Sequence, residues 1–359
     1  MKIRNRIRKK TGNKIKSNGK GSRKGRFIQT ACCVIAAGIL LCGCTLRGDG
    51  GGAENPSGEP KEYMTVSTTL FPYYDFVRQI AGDRVKLNLV VPAGMDSHSF
   101  EPTPADMIEI QNSDIFLYNG GEMEQWVEEA LESIGNPDIH AVSMMEYVDV
   151  VEEELVEGME HEEHEQEGHT HEEHEPGQLH EIEYDEHIWT SPVNAMKIVE
   201  VISQILSEED PAHQAVYEEN TRRYLEELKA VDAGFRQVME NRKRDMVVVG
   251  DRFPFRYLAD TYGFQYRAAF SGCAGDTEPS ARTIAYLIDQ VREQQLPAVY
   301  YLELSSHRVA EIISEETGAR PLLLHSCHNV SRREFDEGVT YLQLMEQNVV
   351  NLRIGLDAE

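Results

Sequence analysis

Residues 210–238 read DPAHQAVYEENTRRYLEELKAVDAGFRQV, and the conformation of this stretch decides how everything on either side of it is arranged. Tyr217, Tyr224, Leu228, Val231, Phe235 and Val238 recur at three- or four-residue and doubled spacing, the period of one apolar stripe along an α-helix. Asp210 followed by Pro211 has the form of an N-cap with proline at the first helical position. The spacing predicts one helix of roughly thirty residues, about 45 Å long at 1.5 Å per residue. A rod of that length reaches from one domain into the next and is stiffer than a hinge of strands or loops.

On both sides of the rod the chain alternates strand with helix. MTVSTTL (64–70) has strand alternation, FPYYDFVRQIAG reads as a helix stopped at Gly82, and VKLNLVVP and DIFLYNG are further buried-strand candidates. The same grammar restarts at Asp245 with DMVVVGD, a helix to Tyr262, FQYRAAF, a helix over 280–295, AVYYLE, a helix over 306–317, RPLLLH and a terminal helix. Val309, Ile312 and Ile313 form a core-facing stripe before Gly318. Strand alternating with helix implies parallel sheets, and the roughly 295 residues from 63 onward exceed one typical core. The fold class expected is therefore α/β with two similar lobes, each a mostly parallel sheet flanked by helices, joined by one long rigid linking helix. The boundaries expected are 63–208 for the N-terminal lobe, 209–242 for the linking helix and 243–359 for the C-terminal lobe.

The first 26 residues carry twelve of the 35 Lys and Arg and no acid, and FIQTACCVIAAGILLCGC then supplies an apolar run of secretory-signal length. It closes on Leu41-Cys42-Gly43-Cys44, in the manner of a bacterial lipobox whose last Cys receives the lipid; an ordinary cleaved signal with Cys44 incidental is the alternative. Residues 1–44 are thus expected to be a lipoprotein signal and 45–62, rich in Gly, a flexible tether. Without the leader, 23 Lys or Arg stand against 62 Asp or Glu, and none lies between Lys86 and Lys197. Such a charge makes nucleic acid an improbable partner and draws cations in. Four of the six Cys belong to the leader. In an oxidising compartment Cys273 and Cys327 are expected to form a disulfide, the competing role for Cys327 being a zinc thiolate beside His328.

Three histidine-bearing segments fall at or after predicted strand ends, where open α/β sheets place ligands. They are GMDSHSFEPTPAD (94–106) with His98, DEHIWTSP (185–192) with His187, and LLLHSCHNVS (322–331) with His325 and His328. One loop histidine is ordinary; three at equivalent positions are a candidate ligand set. A fourth segment, MEHEEHEQEGHTHEEHE (159–175), has no apolar periodicity. It lies in a loop expected over about 151–184, whose His161, His164, His169, His171, His174 and His180 would collect cations weakly. An inert acidic loop is the plainer alternative.

Taken together, GMDSHSFEPTPAD, DIFLYNG, DEHIWTSP and HNVSRREFDEGVTYLQLMEQNVVNL resemble the metal-binding solute receptors of zinc and manganese ABC importers, the group with a rigid linking helix. The resemblance covers nearly all of 63–355. It implies one ion clamped between the lobes, with His98 and His187 as the N-lobe ligands and His328 as the last ligand. Relatives place His or Glu at the start of the first C-lobe helix, where a gapless comparison puts Arg252, which cannot bind a cation. The third ligand is therefore assigned to Asp251, whose other possible role is to cap the helix starting near Phe253. Three imidazoles and a carboxylate suit Zn²⁺ better than Mn²⁺, and four protein ligands would leave no position for an activated water. The function implied is a monomeric, lipid-anchored receptor on the extracytoplasmic face of a bacterial membrane that hands Zn²⁺ to an importer permease. The alternatives are a manganese receptor or a metal-dependent surface adhesin on the same fold. A zinc hydrolase is disfavoured because no H-E-x-x-H pattern is present.

Overall fold

The computed structural model describes residues 63–159, 183–272 and 278–359. Cys44, the tether, Cys273 and the six histidines from His161 to His180 lie outside the described residues.

Two four-stranded sheets are present, and both are wholly parallel. The first holds β1 (Met64–Thr68), β2 (Val85–Leu89), β3 (Ile115–Tyr118) and β4 (His140–Ser143) in the order β2-β1-β3-β4. Its crossovers are α1 (Phe71–Ala81), α2 (Pro104–Gln111) and α3 (Trp126–Ile134). The second holds β5 (Met246–Val249), β6 (Gln265–Ala268), β7 (Ala298–Tyr301) and β8 (Arg320–Leu323) in the order β6-β5-β7-β8. It is wound by α6 (Arg256–Tyr262), α7 (Ala281–Glu293) and α8 (Arg308–Thr317). Both sheets reverse winding direction between their first and third strands, the position where such sheets open a crevice at the strands' carboxyl ends. β5 is buried at all four residues, as a strand covered on both faces must be, and its continuous valines follow from that.

Between the sheets run α4 (Pro192–Glu209) and the long helix α5 (Gln214–Asn241). All six residues of the predicted stripe on α5 are buried. Near its start Tyr224 meets Phe76 of α1, ring centroids 6.1 Å apart. Near its end Phe235 stacks on Tyr262 of α6 at 5.0 Å. The helix thus touches the supports of both sheets, and a single apolar cluster runs from Val66 on β1 to Val247 on β5.

The helix starts later than the sequence suggests. Asp210 ends α4, its N–H bonded to the Leu206 carbonyl at 2.9 Å, and its carboxylate holds His213 Nδ1 at 2.6 Å and the Tyr217 hydroxyl at 2.7 Å. Pro211 therefore follows a helix end, another place that suits a residue without an N–H.

After α9 (Arg332–Asp336), the last helix α10 (Tyr341–Gly355) makes a second tie. Its Tyr341 N–H donates to buried Asp75 of α1 at 2.7 Å, and its hydroxyl donates to the Trp189 carbonyl at 2.7 Å. Among the described residues no helix is long and apolar enough to cross a membrane.

Phe235 is wholly buried where α5 meets the second sheet's helices. Phe235→Ala should cost about 3–5 kcal/mol and lower the denaturation midpoint in a single transition. Two separated transitions would contradict a core shared by both sheets.

Candidate metal centre

Three loops converge at the crevice. The first leaves β2 and turns at Gly94, which has φ +87° and donates its N–H to the Val330 carbonyl at 2.8 Å. His98 follows in a one-turn helix, Ser97–Ser99, capped by Asp96. The loop ends where Thr103 and Asp106 form a capping box at the start of α2. His187 precedes another single turn, Ile188–Thr190, which leads through Ser191 and Pro192 into α4. Trp189 in that turn donates its indole N–H to the Ser326 carbonyl at 2.8 Å. Ser326 lies on the third loop, after β8, which carries His328.

His98, His187 and His328 each offer a nitrogen to one group whose atoms all lie within 4.8 Å of one another. Their ring centroids form a triangle of 6.1, 5.4 and 5.7 Å. His187 and His328 are buried, and Nε2 of His98 is buried without a hydrogen-bond partner. The Ser97 hydroxyl meets Nε2 of His328 from the opposite loop. Burial, then the neighbouring His187 and Arg252, pushes the His98 pKa down to about 4. Burial, then His98 and His187, holds His328 well below the ordinary imidazole value. Nitrogens gathered at one cavity, two of them on rings that resist protonation, are what a borderline cation requires of its ligands.

One local device recurs at all three. The side chain two residues earlier accepts the histidine's own backbone N–H: Asp96 for His98 at 2.8 Å, Asp185 for His187 at 2.9 Å and Ser326 for His328 at 3.2 Å. Such turns are ordinary for Asp and Ser. Each support is itself held. Arg252 Nη2 bonds Asp96 at 2.8 Å, the Tyr257 hydroxyl donates to the Asp185 carbonyl at 2.6 Å, and Glu303 accepts the Ser326 N–H at 2.8 Å. Asp185 Oδ1 also lies 3.3 Å from His187 Nδ1, a contact that orients the ring. The repeated Asp/Ser-x-His signal stands in the sequence as DSH, DEH and SCH, and sequence reasoning passed over it.

Asp251 does not join the three histidines. It lines the same cavity, of about 470 Å³, but its carboxylate accepts the Arg252 N–H at 2.9 Å and the Ser305 hydroxyl. Burial raises its pKa. Nor does it cap α6, whose N-cap residue is Phe255. The loop between β5 and α6 turns Arg252, and not the residue before it, toward the His98 loop. Cys327, expected in a bridge to Cys273, has a free and buried thiol whose pKa burial raises; Cys273 is outside the described residues, and the sulfur is not part of the histidine group. His325 also stays apart, its Nδ1 accepting the Cys327 N–H at 2.9 Å.

With this geometry in place, comparison with known proteins is direct. Residues 66–355 match the family described as zinc-uptake complex component A, periplasmic, or ZnuA, and the chain belongs to that family. It is 34% identical over 323 residues to the high-affinity zinc uptake system protein ZnuA of Bacillus subtilis, covering 90% of this chain and 96% of that one. It is 31% identical over 296 residues to the zinc-binding lipoprotein AdcA of Streptococcus pneumoniae, covering 82% of this chain but 56% of that longer relative. The crystal structure of the Zn(II)-bound ZnuA-like domain of that AdcA superposes with a TM-score of 0.66 at 28% identity, over 82% of this chain and 99% of the domain.

Beside the centre, Glu124 is buried and its Oε2 accepts the N–H groups of Asn119 and Gly120 at 2.7 and 3.0 Å. Burial pushes its pKa up from 4.5 to about 7. A folded value above the unfolded one means the folded state holds the extra proton between the two, so stability is lost as pH rises from 4.5 through 7. Glu124→Gln should remove that loss. Urea unfolding at about pH 5 and pH 8 should find wild type falling relative to the variant, and parallel behaviour would refute the assignment.

Proposed function

We propose that this chain is an extracytoplasmic receptor that captures Zn²⁺ at His98, His187 and His328 and delivers it to the permease of an ABC importer. The observation that carries the proposal is that three imidazoles, on loops from both halves of the fold, bring their nitrogens within 4.8 Å of one another. An imidazole-rich set favours zinc over manganese, which prefers more oxygen. Membership of the ZnuA family and the names of its relatives point the same way. Those relatives are named for zinc uptake and zinc binding, which is the reason for reading the site as one of capture and not of catalysis; zinc-loaded protein should be silent in hydrolytic assays.

The lipid anchor at Cys44 and the cation-collecting role of the histidines from His161 to His180 belong to the same proposal on sequence grounds. A lipid-anchored receptor with an acidic, histidine-bearing segment would raise the local cation supply at its own crevice.

Calorimetric titration of the exported chain should find one tight Zn²⁺ equivalent, lost in His98→Ala, His187→Ala and His328→Ala. It should survive in Asp251→Ala with about its original affinity. A tight equivalent that persists in the triple histidine variant would overturn the proposal.

The acid dependence is a separate check. Three ordinary imidazoles with pKa near 6.5 would cost roughly a thousandfold in affinity between about pH 7.5 and 5.5, through proton competition. Because the pKa values of His98 and His328 are depressed, neither must shed a proton in that window, and the fall should be far smaller. A full thousandfold loss would contradict the depressed pKa values of His98 and His328.

A further inference from the structure

We infer that Arg252 is a positioning residue for the metal ligand His98, and that its link to Asp96 across the crevice sets how slowly a captured cation is released. This rests on the zinc-receptor proposal above. Asp96 uses its two oxygens for two tasks. Oδ1 accepts the His98 N–H at 2.8 Å, and Oδ2 takes the Arg252 guanidinium at 2.8 Å. One carboxylate therefore joins the backbone of a ligand on the first sheet's loop to a side chain from the loop after β5 in the second sheet.

The supports of the other two histidines lie deeper. Asp185 is buried, and Ser326, which lines the same cavity beside Glu303, is buried too. Asp96 and Arg252, with 25% and 17% of their side chains exposed, line the cavity together with Met95, Leu304 and Ser305. This link is thus the most exposed of the three supports at that cavity. It is also sheltered enough that solvent screening weakens it less than a surface pair.

Two effects of Arg252 oppose each other. Its charge repels an arriving dication, whereas its hold on Asp96 keeps His98 aimed at the other two rings. The contact with Asp96 turns the guanidinium from a lone charge into one end of a short dipole, so the repulsion is largely offset and the ordering remains. Groups behind metal ligands typically change affinity by about ten- to hundredfold when removed.

The test uses zinc-loaded full-length protein, with release followed in excess chelator. Arg252→Ala should release zinc at least about tenfold faster, with association changed by less than about threefold. Arg252→Lys should recover most of the slow release. Adding Asp96→Asn to Arg252→Ala should cost much less than the two single effects combined. The Co²⁺-substituted variant should show an altered visible spectrum, which a loss of stability alone would not produce. Release at the wild-type rate with an unchanged Co²⁺ spectrum would overturn the inference. So would tighter zinc binding in Arg252→Ala, since repulsion would then outweigh ordering. Failure of the parent proposal is read separately, from wild type and His98→Ala: if the first binds no zinc tightly, or the second still does, the site itself is misassigned.

Discussion

Three imidazoles whose ligand nitrogens lie within 4.8 Å of one another do not gather unaided. An unpaired buried nitrogen costs about 1–3 kcal/mol, and His98 Nε2 is such an atom. The arrangement persists because the backbone of each ligand is fixed from the side chain two residues before it, by Asp96, Asp185 and Ser326. Strain and desolvation at the centre are thereby carried by turns whose own geometry is favourable. The cost of leaving His98 Nε2 without a partner is what a bound cation would offset.

Those turns sit on loops from two different sheets, so their precision depends on how the sheets are held. α5 packs on helices of both, and α10 repeats the tie through Tyr341, bonded to Asp75 and to the Trp189 carbonyl. Trp189 in turn reaches the Ser326 carbonyl, two residues before His328. The apolar cluster from Val66 to Val247 is continuous. A receptor built this way cannot open by swinging two independent domains. Exchange of the ion must come from small movements of the crevice loops, and this gives the partly exposed pair Asp96–Arg252 its importance.

Charge acts on two scales. The chain carries 62 acidic residues against 35 basic ones, and this field concentrates cations near the surface but is screened within about 8 Å at physiological salt. Inside the crevice the decisive contacts are individual. Burial works against the ionised form of Asp96, yet the charge and hydrogen bond of Arg252 hold its pKa below the usual carboxylate value. Glu124 and Glu186, without a basic partner of that kind among their principal interactions, are instead driven up to about 7 by burial.

Local periodicity was enough to determine the alternation of strand and helix, the stripe on α5 and the three histidine-bearing loops, because these follow from residue spacing and from turn chemistry such as that at Gly94; the Asp/Ser-x-His triplets stood in the sequence too, but their meaning emerged only from the backbone bonds they make. The start of α5 was misplaced because Asp210-Pro211 suits a helix end as well as a helix start, and only the bonds of Asp210 to His213 and Tyr217 distinguish them. Asp251 could not be judged from its place in the chain. A carboxylate's partners are chosen by what packs around it, and here Ser305 and the Arg252 N–H take it. That Arg252, from after β5, should reach Asp96, from after β2, is a relation between residues 156 positions apart. No local pattern encodes such a pairing, and it exists only once two sheets and a shared core bring the loops face to face.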